Sequence, residues 1–161
     1  MIVKDDVGNE LIDVINVKES EAENLYSPVT HSLAVVKIGN DYLMGWNHWR
    51  KNWEVFGGCR EEEETMRECI IRECNEELGL SDVKFTFIGL MKYKMAPGYF
   101  SSEWHEEYGG LYGVSLSEDM IETIKSHRKD REEIEKLELY SNLQSSDRIS
   151  IINEKLLEYW S

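Results

Sequence analysis

Cationic residues are scarce in this chain, and no stretch of it is apolar over the length of a bilayer. Its 161 residues hold 18 Lys and Arg against 32 Asp and Glu, a formal net charge of −14. Grip on a nucleic-acid backbone needs clustered Lys and Arg, so a nucleic-acid polymer is not expected as a partner. A membrane-spanning helix needs about 20 consecutive apolar residues, and no run approaches that, so no membrane partner is expected either. The opening MIVKDDVGNE is neither basic nor followed by an apolar core, and no secretory leader is read there. Cysteine is limited to Cys59, Cys69 and Cys74, without a C-x-x-C pair. That set reads as reduced thiols in a cytoplasmic protein. Repeats, low-complexity tracts and linkers are missing as well. With 41% hydrophobic and 31% charged residues, the length suits a single domain over residues 1–161, with its own core.

What is present alternates between strand and helix signals. Residues 11–17 alternate apolar and polar and read as a strand, and 20–28 as a polar connection. Residues 30–38 read as a strong strand, turned by Gly39-Asn40-Asp41 into a return strand over 42–46. Further strands are predicted over 83–93, 107–116 and 133–140. A short helix is predicted over 117–125 with Ser117 as N-cap, and an amphipathic helix over 147–159.

The densest signal is the stretch GCREEEETMRECIIRECNEELGL, from Gly58 to Leu80. Lacking Pro and internal Gly, residues 62–78 should form a helix, ended by Gly79. At helical spacing Met66, Ile70, Ile71, Cys74 and Leu78 fall in one arc that would pack on a sheet. Glu73, Glu76 and Glu77, at i, i+3 and i+4, share a face beside it. Three crowded carboxylates repel one another, and a solubility face would interleave Lys or Arg. The cluster makes sense against a hard divalent cation. Mg²⁺ takes carboxylate, carbonyl and water oxygens and shares its shell with substrate phosphates; Mn²⁺ accepts the same ligands. Gly57 and Gly58 precede the helix and let the backbone turn tightly against a ligand.

Gly58, Glu64, Arg72, Glu73, Cys74, Glu76, Glu77, Gly79 and Leu80 fit the pattern G-x5-E-x7-R-E-U-x-E-E-x-G-U, with U aliphatic or small and apolar. Chance agreement is on the order of 10⁻⁴ over the whole chain, even allowing for its Glu content. The chain therefore resembles the Nudix hydrolase family, tightly over this box and more loosely, by element order, over roughly 130 residues. The resemblance implies a fold of the α/β (α+β) class: an α/β/α sandwich with a mixed sheet. It also implies Mg²⁺- or Mn²⁺-dependent hydrolysis of a diphosphate linkage in a nucleotide or other nucleoside-diphosphate derivative, by a monomer or homodimer. In the family the Gly57 carbonyl joins Glu73, Glu76 and Glu77 as metal ligand, while Gly58, Glu64, Arg72 and Gly79 shape the motif. Arg72 would tie Glu64 to the helix; read alone, it could equally pair with Glu68 or Glu76 at i±4. In Trp53-Glu54-Val55-Phe56-Gly57-Gly58, Phe56 replaces the family's usual Pro, which loosens the loop's φ restraint.

A further carboxylate from beyond the box is implied as ligand or general base, with Glu103, Glu106 and Glu107 as candidates. Of these Glu107 is placed with the catalytic group and Glu106 with substrate binding. Trp46 and Trp49 precede the box, where they could stack on a base or simply pack; Trp53 reads as packing. Pro97 and Tyr99 match no subfamily marker cleanly. A nucleoside triphosphate is the first substrate class implied and ADP-ribose or a nucleotide sugar the second. A nucleotide-sensing module without turnover is the rival reading.

Overall fold

A computed structural model describes residues 1–98 and 101–161, so Tyr99 lies outside the described residues. Nine strands form one mixed sheet: β1 Val3–Lys4, β2 Glu10–Ile15, β3 Val29–Ile38, β4 Asp41–Asn47, β5 Asn52–Glu54, β6 Phe56–Cys59, β7 Thr86–Met95, β8 His105–Leu116 and β9 Ile134–Leu139. The order is β1-β2-β7-β8-β3-β4-β5, with β6 paired to β3 and β9 to β4. The central pair β3–β8 is parallel, from Val29↔Tyr108 to Ile38↔Leu116, and the other ladders are antiparallel.

Alternation along the central strands builds two cores. Ala34 and Val36 of β3, Tyr112 of β8 and Leu90 of β7 face one side, with helices α1 (Glu19–Leu25), α2 (Met66–Leu78) and α3 (Met120–His127). Val35, Leu111 and Met91 face the other, with α4 (Ile151–Leu156). Side chains of a strand point alternately to opposite faces, so one run of apolar residues serves both layers. Helices on both faces of a mixed sheet make the expected α/β/α sandwich.

Several element readings need correction. The stretch 20–28, read as a polar connection, instead holds most of helix α1, Glu19–Leu25; only Ala22 is buried there, so no apolar stripe marked it. The helix read from 62 begins at Met66, because Thr65 and Glu68 close a capping box: Thr65 Oγ1 accepts from Glu68 N at 3.1 Å and Glu68 Oε1 from Thr65 N at 2.9 Å. Ser117 caps nothing; α3 starts after Asp119. Ile71 is half exposed, and Cys69 takes its place in the core. The buried face centres on Met66, Ile70 and Glu77, and Ile71 lies beyond its edge.

Candidate active site

The β6 backbone and the box helix meet face to face. Gly57 has φ 139°, and a Cβ there would stand 2.1 Å from the Ser32 carbonyl oxygen, so only glycine fits the strand. Its N–H donates to Glu77 Oε1 at 2.8 Å. A Cβ on Gly58 would stand 2.6 Å from Glu73 Oε1, so the Glu73 carboxylate lies directly on the Gly58 backbone. Two box carboxylates therefore converge on the Gly57-Gly58 backbone of β6. Glu76 is half exposed one turn away, and its carbonyl accepts from Lys129 N and Asp130 N at 3.0 and 2.8 Å.

Arg72 anchors this geometry from outside. Its Nε and Nη2 donate to the two oxygens of Glu64 at 2.7 and 2.9 Å, Nη2 also to the Cys59 carbonyl, and Nη1 to Glu73 Oε1, the last two at 3.0 Å. Glu76 lies 3.6 Å away. The guanidinium holds the Glu64 carboxyl down to about 2. Gly79 ends the helix, its N–H on the Asn75 carbonyl.

Burial works the other way on the box. Glu77 is 1% exposed, and that burial pushes its carboxyl well above the ordinary range against the single Gly57 N–H. Glu73, Glu133 and Asp130 push it further. Glu73 is raised too, mainly by burial, while Arg72 opposes. A buried carboxylate crowded by like charge and without a cationic partner, as Glu77 is, is what a hard divalent cation would relieve. In donor chemistry Glu73, Glu76, Glu77 and the Gly57 carbonyl fit one, although among the described residues no three His, Cys, Asp or Glu side chains close around a common point.

A cleft of about 450 Å³ opens on the other side of β6 and takes in Gly57, Gly58 and Glu77. Glu54, Glu133, Arg50 and Asn52 line one wall; His31, Leu33, Tyr93, Met95 and Ile152 line another; Asp5, Asp6 and Arg148 stand at the margin. Arg50 is fixed by two bonds to the buried Glu54, at 2.7 and 2.9 Å, and lies 3.8 Å from Glu133. Glu133 receives Asn47 Nδ2 at 3.4 Å and is raised chiefly by burial. The turn that delivers Glu133 is braced by buried Arg128, whose Nη1 donates to the Asp130 and Ile134 carbonyls at 3.2 and 2.9 Å. Nothing in the acidic run from Asp130 to Glu135 distinguishes Glu133 by sequence. Its place follows from β9 pairing with β4 and from the turn docking on the Glu76 carbonyl.

None of Glu103, Glu106 and Glu107 lines this cleft. Glu103 sits on an exposed loop. Glu106 faces the opposite side of the sheet, near Lys92 at 3.9 Å and the Tyr108 hydroxyl at 3.5 Å. Glu107 is on the cleft side but engaged, accepting from Thr30 Oγ1 at 3.1 Å and bonded to His105 Nε2 at 2.8 Å. The strand alternation separates Glu106 from Glu107, but the cleft lies nearer the β3–β6 ladder than the start of β8. The tryptophans are placed elsewhere too. Trp46 packs edge-on to Trp53, with ring centroids 5.6 Å apart, under the Lys136 ammonium. Trp49 is exposed at the β4–β5 turn. The aromatic lining of the cleft is Tyr93 and His31.

Known proteins agree with this architecture. Structurally similar chains include the pyrophosphohydrolase BsRppH of Bacillus subtilis (E68A mutant), at TM-score 0.63 and 16% identity over 98% of this chain and 93% of that one. A MutT NUDIX hydrolase from Burkholderia pseudomallei matches at TM-score 0.61 and 16% identity, over 83% of this chain and 98% of its own. The NUDIX domain of Shewanella oneidensis NrtR, solved with ADP ribose, matches at TM-score 0.60 and 12% identity, over 89% and 96%. No curated protein sequence matches. Among the described residues no helix is long and apolar enough to cross a membrane. The NUDIX domain family matches residues 32–158, from Ser32 in β3 through Gly57-Gly58 of β6 and the box helix to Glu158 in the last helical turn. With box, sheet and sandwich all in register, this chain is a member of the Nudix family.

Proposed function

We propose that the chain, acting as one domain, is a pyrophosphohydrolase that cleaves a diphosphate linkage in a nucleoside triphosphate with Mg²⁺ or Mn²⁺ bound. The observation that carries this reading is the pair of carboxylates, buried Glu77 and partly buried Glu73, turned onto the Gly57-Gly58 backbone at the end of an open cleft. Glu73, Glu76, Glu77 and the Gly57 carbonyl would hold the cation. When bound, it supplies charge neutralisation at the phosphates and a lowered pKa for water. The protein's own contribution is positional. Arg72 holds Glu73 and the loop, and Glu133 faces the cleft as the carboxylate that accepts the proton of the attacking water. Burial raises Glu133 toward the range where a carboxylate is an effective base.

Nucleotide sugars such as ADP-ribose form the second reading, supported by the likeness to an ADP-ribose-bound neighbour. A panel of nucleoside triphosphates and nucleotide sugars, each with Mg²⁺, with Mn²⁺ and with chelator, tests both. We expect turnover of at least one triphosphate that stops with chelator. Saturable binding without turnover of any member would favour the sensing module instead.

A further inference from the structure

From His31, on the apolar wall of the cleft, a polar chain runs back into the sheet, and no part of the hydrolytic reading assigns it a role. His31 Nδ1 lies 2.8 Å from Thr30 Oγ1. The Thr30 oxygen in turn lies 3.1 Å from Glu107 Oε2 and 3.4 Å from the Tyr108 carbonyl. The other carboxylate oxygen, Glu107 Oε1, is bonded to His105 Nε2 at 2.8 Å, so the carboxylate is held from both ends. A hydroxyl has one proton, and carboxylate and carbonyl oxygens only accept. If that proton went to His31 Nδ1, the Glu107 and Tyr108 oxygens would face only lone pairs of Thr30; the arrangement that avoids this has Thr30 donating to Glu107 or Tyr108 and accepting from His31. The Nδ1 of His31 carries the proton, and in a neutral ring Nε2 is then an acceptor. Burial brings the His31 imidazole down to about 4, so the ring is neutral at pH 7.

The position of Nε2 gives the acceptor a use. It lies over Gly109, where a Cβ would stand 2.6 Å from it, so the ring occupies a notch that a side chain would fill. Among the described residues Nε2 has no protein partner, and the one fully enclosed side-chain polar atom left without a partner there is Asn52 Oδ1, not His31 Nε2. His31 Nε2 is thus open to the cleft, which His31 lines. The Tyr93 ring centroid is 5.1 Å from that of His31, Cys59 is paired with His31 across β3–β6, and Leu33, Met95 and Ile152 line the same cleft. The carboxylates of the cleft stand on the other wall and at the margin, so an acceptor beside the Tyr93 ring on the apolar wall matches a donor borne on a heteroaromatic ring better than one on a hydrated sugar.

We propose that Glu107 and Thr30 lock His31 in its Nδ1–H form, and that His31 Nε2 accepts a hydrogen bond from an N–H group on the substrate's heteroaromatic ring. Glu107 is then a positioning residue acting through Thr30. The recognition half rests on the proposed nucleotide chemistry of the cleft; the tautomer half does not.

Two measurements test the halves separately. Long-range ¹H–¹⁵N correlation spectra, with His31 assigned by its loss in His31→Phe, should show Nδ1 protonated at pH 7 in the wild type and in Thr30→Ser. Thr30→Val and Glu107→Gln should show a mixture of tautomers. Protonated Nε2 in the wild type overturns the lock. Recognition is read by calorimetry and by KM and kcat, comparing adenosine with purine-riboside triphosphate and cytidine with its 4-deamino counterpart. The wild type should prefer the amino-bearing member of at least one pair by about tenfold, seen in Kd and KM with kcat little changed. His31→Phe should erase that preference, and Thr30→Ser should keep it. An unchanged preference in folded His31→Phe overturns the acceptor role. A penalty for the 2′-deoxy analogue in place of the deamino one overturns the assignment to the ring. If the wild type neither binds nor hydrolyses any nucleotide, the nucleotide reading and the recognition half both fall, while the spectra still decide the lock.

Discussion

Arg72 and Glu64 form the tightest charged contact in the box, and its pH signature can be stated in advance. The folded Glu64 carboxyl titrates near 2, below the about 4.3 of an unfolded glutamate. A depressed carboxyl contributes stability that is complete above the unfolded value and is lost as pH falls through the window toward the folded one. Between about pH 5 and pH 2 the wild type should therefore lose stability more steeply than Glu64→Gln. Urea midpoints measured across that range check this; parallel curves would mean the pair adds nothing. At this scale much of the site was legible. The spacing of Glu73, Glu76 and Glu77 and the glycines before them pointed to a shared surface, and Glu73 and Glu77 do meet the Gly57-Gly58 loop. Glu133 was not legible, because it reaches the cleft through a strand pairing and a docked turn, and neither leaves a local pattern. A Glu133→Gln variant should lower kcat by at least about tenfold with little change in melting temperature. Full activity would remove it from the proposed chemistry.

The box helix shows how an element can be right in kind and wrong in extent. The run from Glu61 to Glu64 has good helical propensity, but the Thr65–Glu68 capping box fixes the start later and leaves Glu63 at φ 65° in the preceding turn. The T-x-x-E signal was present in the sequence and outweighs propensity, because it satisfies backbone donors that propensity leaves open. Thr65→Ala should cost about 1 kcal/mol in denaturant unfolding. Helix α1 lacked any such signal. Its role is electrostatic: Glu19 takes two bonds from Arg67, both at 2.8 Å, and Glu23 accepts from Met66 N at 2.6 Å, at the N-terminus of α2. Strand β6 was hidden because two glycines inside a strand read as a loop, yet they let Glu77 and Glu73 reach the backbone. Gly57→Ala should destabilise by at least about 2 kcal/mol, since its Cβ collides with main chain and its φ is positive. A fold as stable as wild type would mean the β3–β6 register can shift.

Across the whole molecule, the strong strands β3, β4, β7 and β8 could be read from alternation, but not their order. The parallel β3–β8 pairing, which sets His31 over Gly109 and brings Thr30 to Glu107, joins residues more than seventy positions apart. With a net charge of −14 and a buried Glu77 beside Glu73, the fold carries repulsion that a bound cation would remove. The most direct test of the central claim compares wild type with Glu77→Gln for turnover of the best nucleotide and for the shift in melting temperature with Mg²⁺ or Mn²⁺. Saturating metal should raise the wild-type melting temperature by roughly 5 °C. Glu77→Gln, folded by circular dichroism, should lose that shift and at least about 10²-fold in kcat. A folded Glu77→Gln protein with near wild-type turnover and an unchanged metal response would contradict the central claim.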